Sequence, residues 1–182
     1  MSKDTLILDA CCGSRMFWYD KHDSRCLFID IRRETHVCDT RPGRSKTVID
    51  PDQLANFRDL PFADNTFYHV VFDPPHTKDM DKETRTVKKY GTLGEDWKDI
   101  LRAGFKECFR VLKHRGTLIF KWSDICIPLS EVLALTPETP LYGHKSGKRQ
   151  GTHWVAFVKS DEAVDTGVPI KEARKGQGAL WP

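Results

Sequence analysis

The sequence predicts an α/β fold built on a mostly parallel central sheet. Three observations carry this: apolar runs of strand length that end in aspartate, a glycine-containing turn straight after the first run, and a longer segment of helical period before a later run. Runs that are apolar throughout are the pattern of strands covered on both faces. In such a sheet ligands bind outside the carboxyl ends of the strands, so the residue closing each run is where chemistry is expected.

Thr5–Asp9 opens the sheet, and Ala10-Cys-Cys-Gly-Ser14 follows as a turn. Residues 15–21 are expected as a short helix and Cys26–Asp30 as a second strand, together a nucleotide-binding βαβ start. Residues 31–53 are polar, with a turn signal at Arg41-Pro-Gly-Arg44, and are too broken for a crossover helix. A hairpin-like excursion through Thr35–Asp39 and Lys46–Ile49 is expected instead, then a short third strand ending near Asn56. Phe67–Asp73 is the fourth strand, stopped by Pro74-Pro75. The polar stretch His76–Asp96, with Gly91 and Gly94, reads as a mobile loop or broken helix. Ile100, Leu101, Phe105, Phe109 and Leu112 give Trp97–Lys113 a helical period, with Gly116 as its stop. Thr117–Trp122 is the fifth strand, and Leu129–Leu135 is a short helix after Pro128. Thr139–His144 and His153–Lys159 are two strands joined by the turn-rich 145–151. The tail 161–182 has no apolar period and is expected to be loosely attached, leaving a single domain over 1–160.

Composition excludes several classes. With 182 residues, 39% hydrophobic and 30% charged, the chain buries roughly 70% of its unfolded surface and needs neither disulfide nor metal to fold. Six cysteines without a CxxC pair argue against a zinc site or a disulfide framework. No apolar run approaches the ~20 residues that span a bilayer, and the first residues lack a signal core. A cytoplasmic, membrane-free protein is expected. The net charge of +3 is too small to indicate a polyanionic partner by itself; only its distribution can.

Three strands deliver a carboxylate to the ligand edge: Asp9, Asp30 and Asp73. Leu8-Asp-Ala-Cys-Cys-Gly-Ser14, the strand ending in Asp30, Asn56-Phe-Arg-Asp-Leu-Pro-Phe62 and Phe72-Asp-Pro-Pro-His76 resemble, in order and spacing, the motifs of class I S-adenosylmethionine (SAM)-dependent methyltransferases. The similarity extends over about residues 5–159 and is nearest to small phage-type enzymes that methylate amino nitrogens. It implies a Rossmann-like sheet of seven strands, the last one antiparallel, abbreviated but with helices on both faces, and SAM as cofactor.

The resemblance places the cofactor against Asp9, Cys11, Gly13, Asp30, Asn56, Phe57 and Asp73. Gly13 lets the backbone approach the methionine part, and Asp30 either accepts from the ribose hydroxyls or caps a turn. Asn56 and Phe57 either hold the adenine or serve as turn former and core. Asp73, Pro74, Pro75 and His76 form the catalytic tetrapeptide. The delocalised lone pair of an exocyclic amine must become tetrahedral to attack, and acceptors at the Asp73 carboxylate and the Pro74 carbonyl favour that geometry. His76 stands where the family usually has an aromatic residue that stacks on the target base, and the turn has fewer glycines than usual.

For the substrate, Lys121 and Trp122 end the fifth strand at this edge, Trp122 either stacking on a base or closing the core. Lys145, Lys148 and Arg149 either meet phosphates or are a solvated hairpin tip, and Tyr90 lies in a loop that can act as a lid. The expected reaction is methyl transfer to adenine N6 or cytosine N4 in DNA, without a metal. RNA or protein amines, or a module that binds cofactor or nucleic acid without catalysis, are the alternatives. A nicotinamide-dependent oxidoreductase is disfavoured by the missing GxGxxG. So short a chain takes its target specificity from these segments, a second copy or a partner subunit.

Overall fold

The computed structural model describes residues 5–40, 43–78, 84–146 and 151–160. The expected tail 161–182, and Lys148 and Arg149, lie outside them.

Nine strands and three helices follow one another in these segments: β1 (Ile7–Asp9), β2 (Cys26–Asp30), β3 (Glu34–Thr40), β4 (Gly43–Ile49), β5 (Gln53–Leu54), β6 (Phe67–Phe72), α1 (Arg85–Tyr90), α2 (Trp97–Val111), β7 (Leu112–Ser123), α3 (Leu129–Leu133), β8 (Tyr142–Ser146) and β9 (Thr152–Val158). Seven form one sheet in the order β5-β2-β1-β6-β7-β9-β8. Its pairings are parallel except those made by β9, which runs antiparallel to both β7 and β8. This is the expected seven-stranded arrangement. β3 and β4 pair separately as an antiparallel hairpin, where a crossover helix would ordinarily connect β2 to β5.

Alternation along β7 sends Leu118, Phe120 and Trp122 to one face, where they join Leu8, Val70, Phe72, Val155 and Phe157 in the main core. Trp97, Leu101, Phe105, Cys108 and Phe109 of α2, and Val132 of α3, pack into that same cluster. The opposite face carries a smaller one, Cys12, Cys26 and Phe28 with Ile7 and Trp18. Among the described residues the helices thus concentrate on one face, and aromatic turn residues cover part of the other.

Two local expectations fail for physical reasons. Residues 15–21 are turns, not a helix, because Gly13 (φ +50°) and Arg15 (φ +53°) are both left-handed, which a right-handed helix cannot accommodate. Arg15 is held there by tertiary contacts: its guanidinium lies 3.9 Å from the centre of the Phe28 ring, donates to Asp50 O and Asp52 at 2.8 Å, and donates to Lys21 O. Gly116 does not stop α2, which ends at Val111. It sits instead where Tyr68 O passes so close that a Cβ would meet it at 2.9 Å.

Candidate functional site

The sheet order runs outward from β1 to β2 on one side and to β6 on the other, so the crevice at their carboxyl ends is the topological switch point. Asp9 closes β1, Asp30 closes β2, and Asp73 follows β6 directly. A cleft of about 650 Å³ opens there, walled by the turn 10–14 and by Asp30, Phe57, Asp73, Tyr90 and Lys121.

The three carboxylates differ in role. Asp9 is fully buried beneath the cleft, accepting from Trp18 Nε1 at 2.7 Å and from Cys11 N at 3.3 Å. Burial pushes its carboxyl up to about 7 against the lowering effect of the Trp18 bond, with the Asp73 charge adding to the rise. It shapes the turn and does not face the cleft. Asp30 Oδ2 accepts from Gly13 N at 3.0 Å, and Oδ1 from Arg32 N at 2.9 Å, so this side chain ties the turn after β1 to the end of β2. Arg32 Nε also donates to Oδ1 at 3.4 Å; of about four lone-pair sites on a carboxylate this leaves Asp30 one for a ligand. A Cβ on Gly13 would meet nothing within 4 Å; glycine is needed there for its positive φ, not for lack of room.

Asp73 is met by two side chains, one on each oxygen. Lys121 Nζ donates to its Oδ2 at 2.7 Å, and His76 Nε2 lies 2.9 Å from its Oδ1. The same nitrogen is 3.3 Å from Lys121 O. Both neighbours are acceptors, so Nε2 carries the proton. Lys121 Nζ also lies 5.4 Å from the Phe17 ring centre and 5.7 Å from that of Trp154, and these rings meet edge to face. The ammonium therefore sits in a pocket made of one carboxylate and two aromatic rings, within cation–π range of both.

Of the residues expected at the cofactor, Cys11, Gly13, Asp30, Phe57 and Asp73 line the cleft. Asn56 does not: its Oδ1 accepts from Arg58 N at 3.0 Å, the turn-forming alternative, and it faces a different depression beside Asp96 and Asp99. The Cys11 thiol is held neutral, pushed well up by burial and by the Asp9 charge. In the tetrapeptide, Asp73 and Pro75 face the cleft, Pro74 is buried, and His76 packs in a T-shaped arrangement with Trp122.

Lys121 and Tyr90 are in the cleft wall as expected. Trp122 is not available to a substrate: it is fully buried and its Nε1 donates to Ile127 O at 2.9 Å. Lys145 is on β8 and faces Asp124, at 3.7 Å. Lys159, from the same basic stretch, donates to Phe109 O and Leu112 O at the end of α2, a helix-terminus role. Sequence reasoning missed Phe17 and Trp154. The aromatic run Phe17-Trp-Tyr19 directly after the turn was the available signal for the first.

No protein-family model matches the chain, nor does any curated protein sequence. Solved structures do. The PH0226 protein of Pyrococcus horikoshii OT3 superposes with a TM-score of 0.55 at 17% identity, over 88% of this chain and 84% of that one. A SAM-dependent methyltransferase of Methanosarcina mazei gives 0.55 at 16% identity, over 89% and 95%. The protein complexed with the Trm112 methyltransferase activator of Haloferax volcanii gives 0.52 at 14%, over 87% and 84%. The fold is thus the Rossmann-like fold of SAM-dependent methyltransferases.

Proposed function

We propose that this chain is a SAM-dependent methyltransferase acting on an exocyclic amino nitrogen of a nucleobase, adenine N6 or cytosine N4. The observation that carries the reading is the Asp73 carboxylate, rigidified by Pro74-Pro75 and set in the wall of the switch-point cleft opposite the Gly13–Asp30 turn. The cleft fits the cofactor on its own terms. Its volume suits a nucleoside-sized ligand, Asp30 offers spare acceptor capacity beside it, Phe57 supplies an apolar wall, and Asp73 a negative charge. When bound, SAM supplies an electrophilic methyl on sulfur.

The chain's own residues do the rest. Asp73 accepts an N–H of the target amine, which localises the nitrogen lone pair and stabilises the positive charge that develops there. His76, proton on Nε2, holds Oδ1 in place. Oδ2 must exchange Lys121 for the target amine. Phe17 and Trp154 take the stacking role that buried Trp122 does not fill.

One observation favours a second reading, an alkyl amine of a protein as acceptor: a carboxylate flanked by two aromatic rings already holds an alkylammonium, that of Lys121. Partner-assisted activity also fits, since the Haloferax volcanii neighbour is complexed with an activator. Labelled methyl incorporation into DNA, RNA and protein pools tests all of this. Methylated adenosine or cytidine, absent with Asp73→Ala, is the expected result; label confined to protein establishes the second reading, and no heat on titrating SAM ends both.

A further inference from the structure

A second cleft, of about 880 Å³, lies on the other side of the turn after β1. Its floor and walls come from four places along the chain: the 13–22 turn, Arg33 just before β3, the β4 strand with the 50–52 segment, and α1, which packs against β3. The two clefts share Gly13, Ser14, Met16 and Lys89 as wall residues, so they adjoin across this turn.

Lys21, His22, Arg33, Lys46 and Lys89 line it, together with two acids, Asp50 and Asp52. Both acids are consumed. Asp50 pairs with Arg33 Nε at 3.1 Å. Asp52 pairs with Arg15 at 2.8 Å and accepts from Phe28 N at 3.0 Å. Lys21, Lys46 and Lys89 have no ion-pair partner among the described residues. Gathering three like charges into one groove costs self-repulsion, which a polyanion in the groove removes. A recessed basic cleft that adjoins a methyl-transfer cleft suits a strand, whereas a membrane surface is flat.

We infer that this groove binds the phosphodiester backbone of a nucleic acid whose base enters the adjoining cleft, with Lys21 and Lys46 as phosphate contacts. The inference rests on the methyltransferase reading for the direction in which the base points. Backbone contacts of this kind position the strand without reading its sequence.

The test uses the full chain and fluorescein-labelled single-stranded DNA, its RNA counterpart and the DNA duplex, read by anisotropy over a salt series. The wild type is expected to bind at least one of them. In Lys21→Gln/Lys46→Gln the affinity at low salt drops about tenfold. The log–log salt slope shrinks by about 1.4 on a single strand or about 1.8 on a duplex, from about 0.7 or 0.9 per lost contact. SAM calorimetry and the unfolding midpoint of the double variant stay at wild-type values, since neither side chain reaches the cofactor cleft. Unchanged affinity and slope in the double variant overturn the inference. So does a wild type that binds none of the three oligonucleotides, including one that binds phosphatidylserine vesicles instead. Failure of the methyltransferase reading shows itself separately, as oligonucleotide binding without methyl incorporation.

Discussion

Lys121 Nζ lies 2.7 Å from Asp73 Oδ2, so a cation already occupies the carboxylate to which a target amine would donate. Both side chains are about one-fifth exposed, and a pair of that exposure is worth on the order of 1 kcal/mol. Replacing it is then a modest toll on acceptor binding. Lys121→Gln is expected to lower the acceptor KM about threefold to tenfold with kcat within about a factor of two. Steady-state kinetics with the target identified by methyl incorporation measures this; a collapse of kcat at constant KM would instead make Lys121 a positioning group for Asp73.

Asp73→Asn keeps the shape of the site and one acceptor oxygen but removes the charge. Methyl transfer should fall by about a hundredfold or more, while SAM affinity by calorimetry changes by less than about threefold. Equal losses in both would place Asp73 in cofactor binding rather than in the chemistry.

Asp9 makes stability depend on pH in the direction opposite to a salt-bridged carboxylate. Its folded pKa, raised to about 7 by burial from an ordinary 3.8, means that between these values the folded state holds a proton the unfolded state has released. Stability therefore falls as pH rises from about 4 to about 7 and levels off above, by an amount on the order of 4 kcal/mol at most. Urea denaturation at pH 5 and pH 8 measures it for the wild type. Asp9→Asn, which can still accept from Trp18, should lose most of this slope.

Gly104 of α2 packs directly against two aromatic rings. A Cβ there would stand 2.6 Å from Phe72 Cζ and 2.9 Å from Phe57 Cδ2, ring atoms of two side chains packed edge to face. Gly104→Ala should cost about 1–3 kcal/mol through overpacking despite the better helix propensity of alanine. Because Phe57 also walls the cleft, SAM affinity should fall with it, which calorimetry alongside denaturation will show.

The sheet and the carboxylates at its edge were legible because an apolar run and the residue that ends it are local in sequence. The β3–β4 hairpin was legible for the same reason. The turn over 15–21 was not, since Arg15 takes its left-handed backbone from contacts with Phe28, Asp50 and Asp52, all distant in the chain. Trp122 could have been placed by the period of two in its strand, which sets it with Leu118 and Phe120 and sends Lys121 to the other side. The side chains that surround Lys121 come from three further segments, and the lysines of the second cleft also from three. No window of sequence contains either group.

The position of β7 between β6 and β9 has a consequence for synthesis. A nascent chain that has emerged only as far as Asp73 carries all three acids, but neither the helix that covers the main core nor β7, which pairs with the outer side of β6. Its four strands would present an apolar face and an open edge, the features that invite pairing with other chains. The sheet is not complete until Val158 has left the ribosome, so a product cut short between Asp73 and that residue retains the carboxylates without the whole of their scaffold.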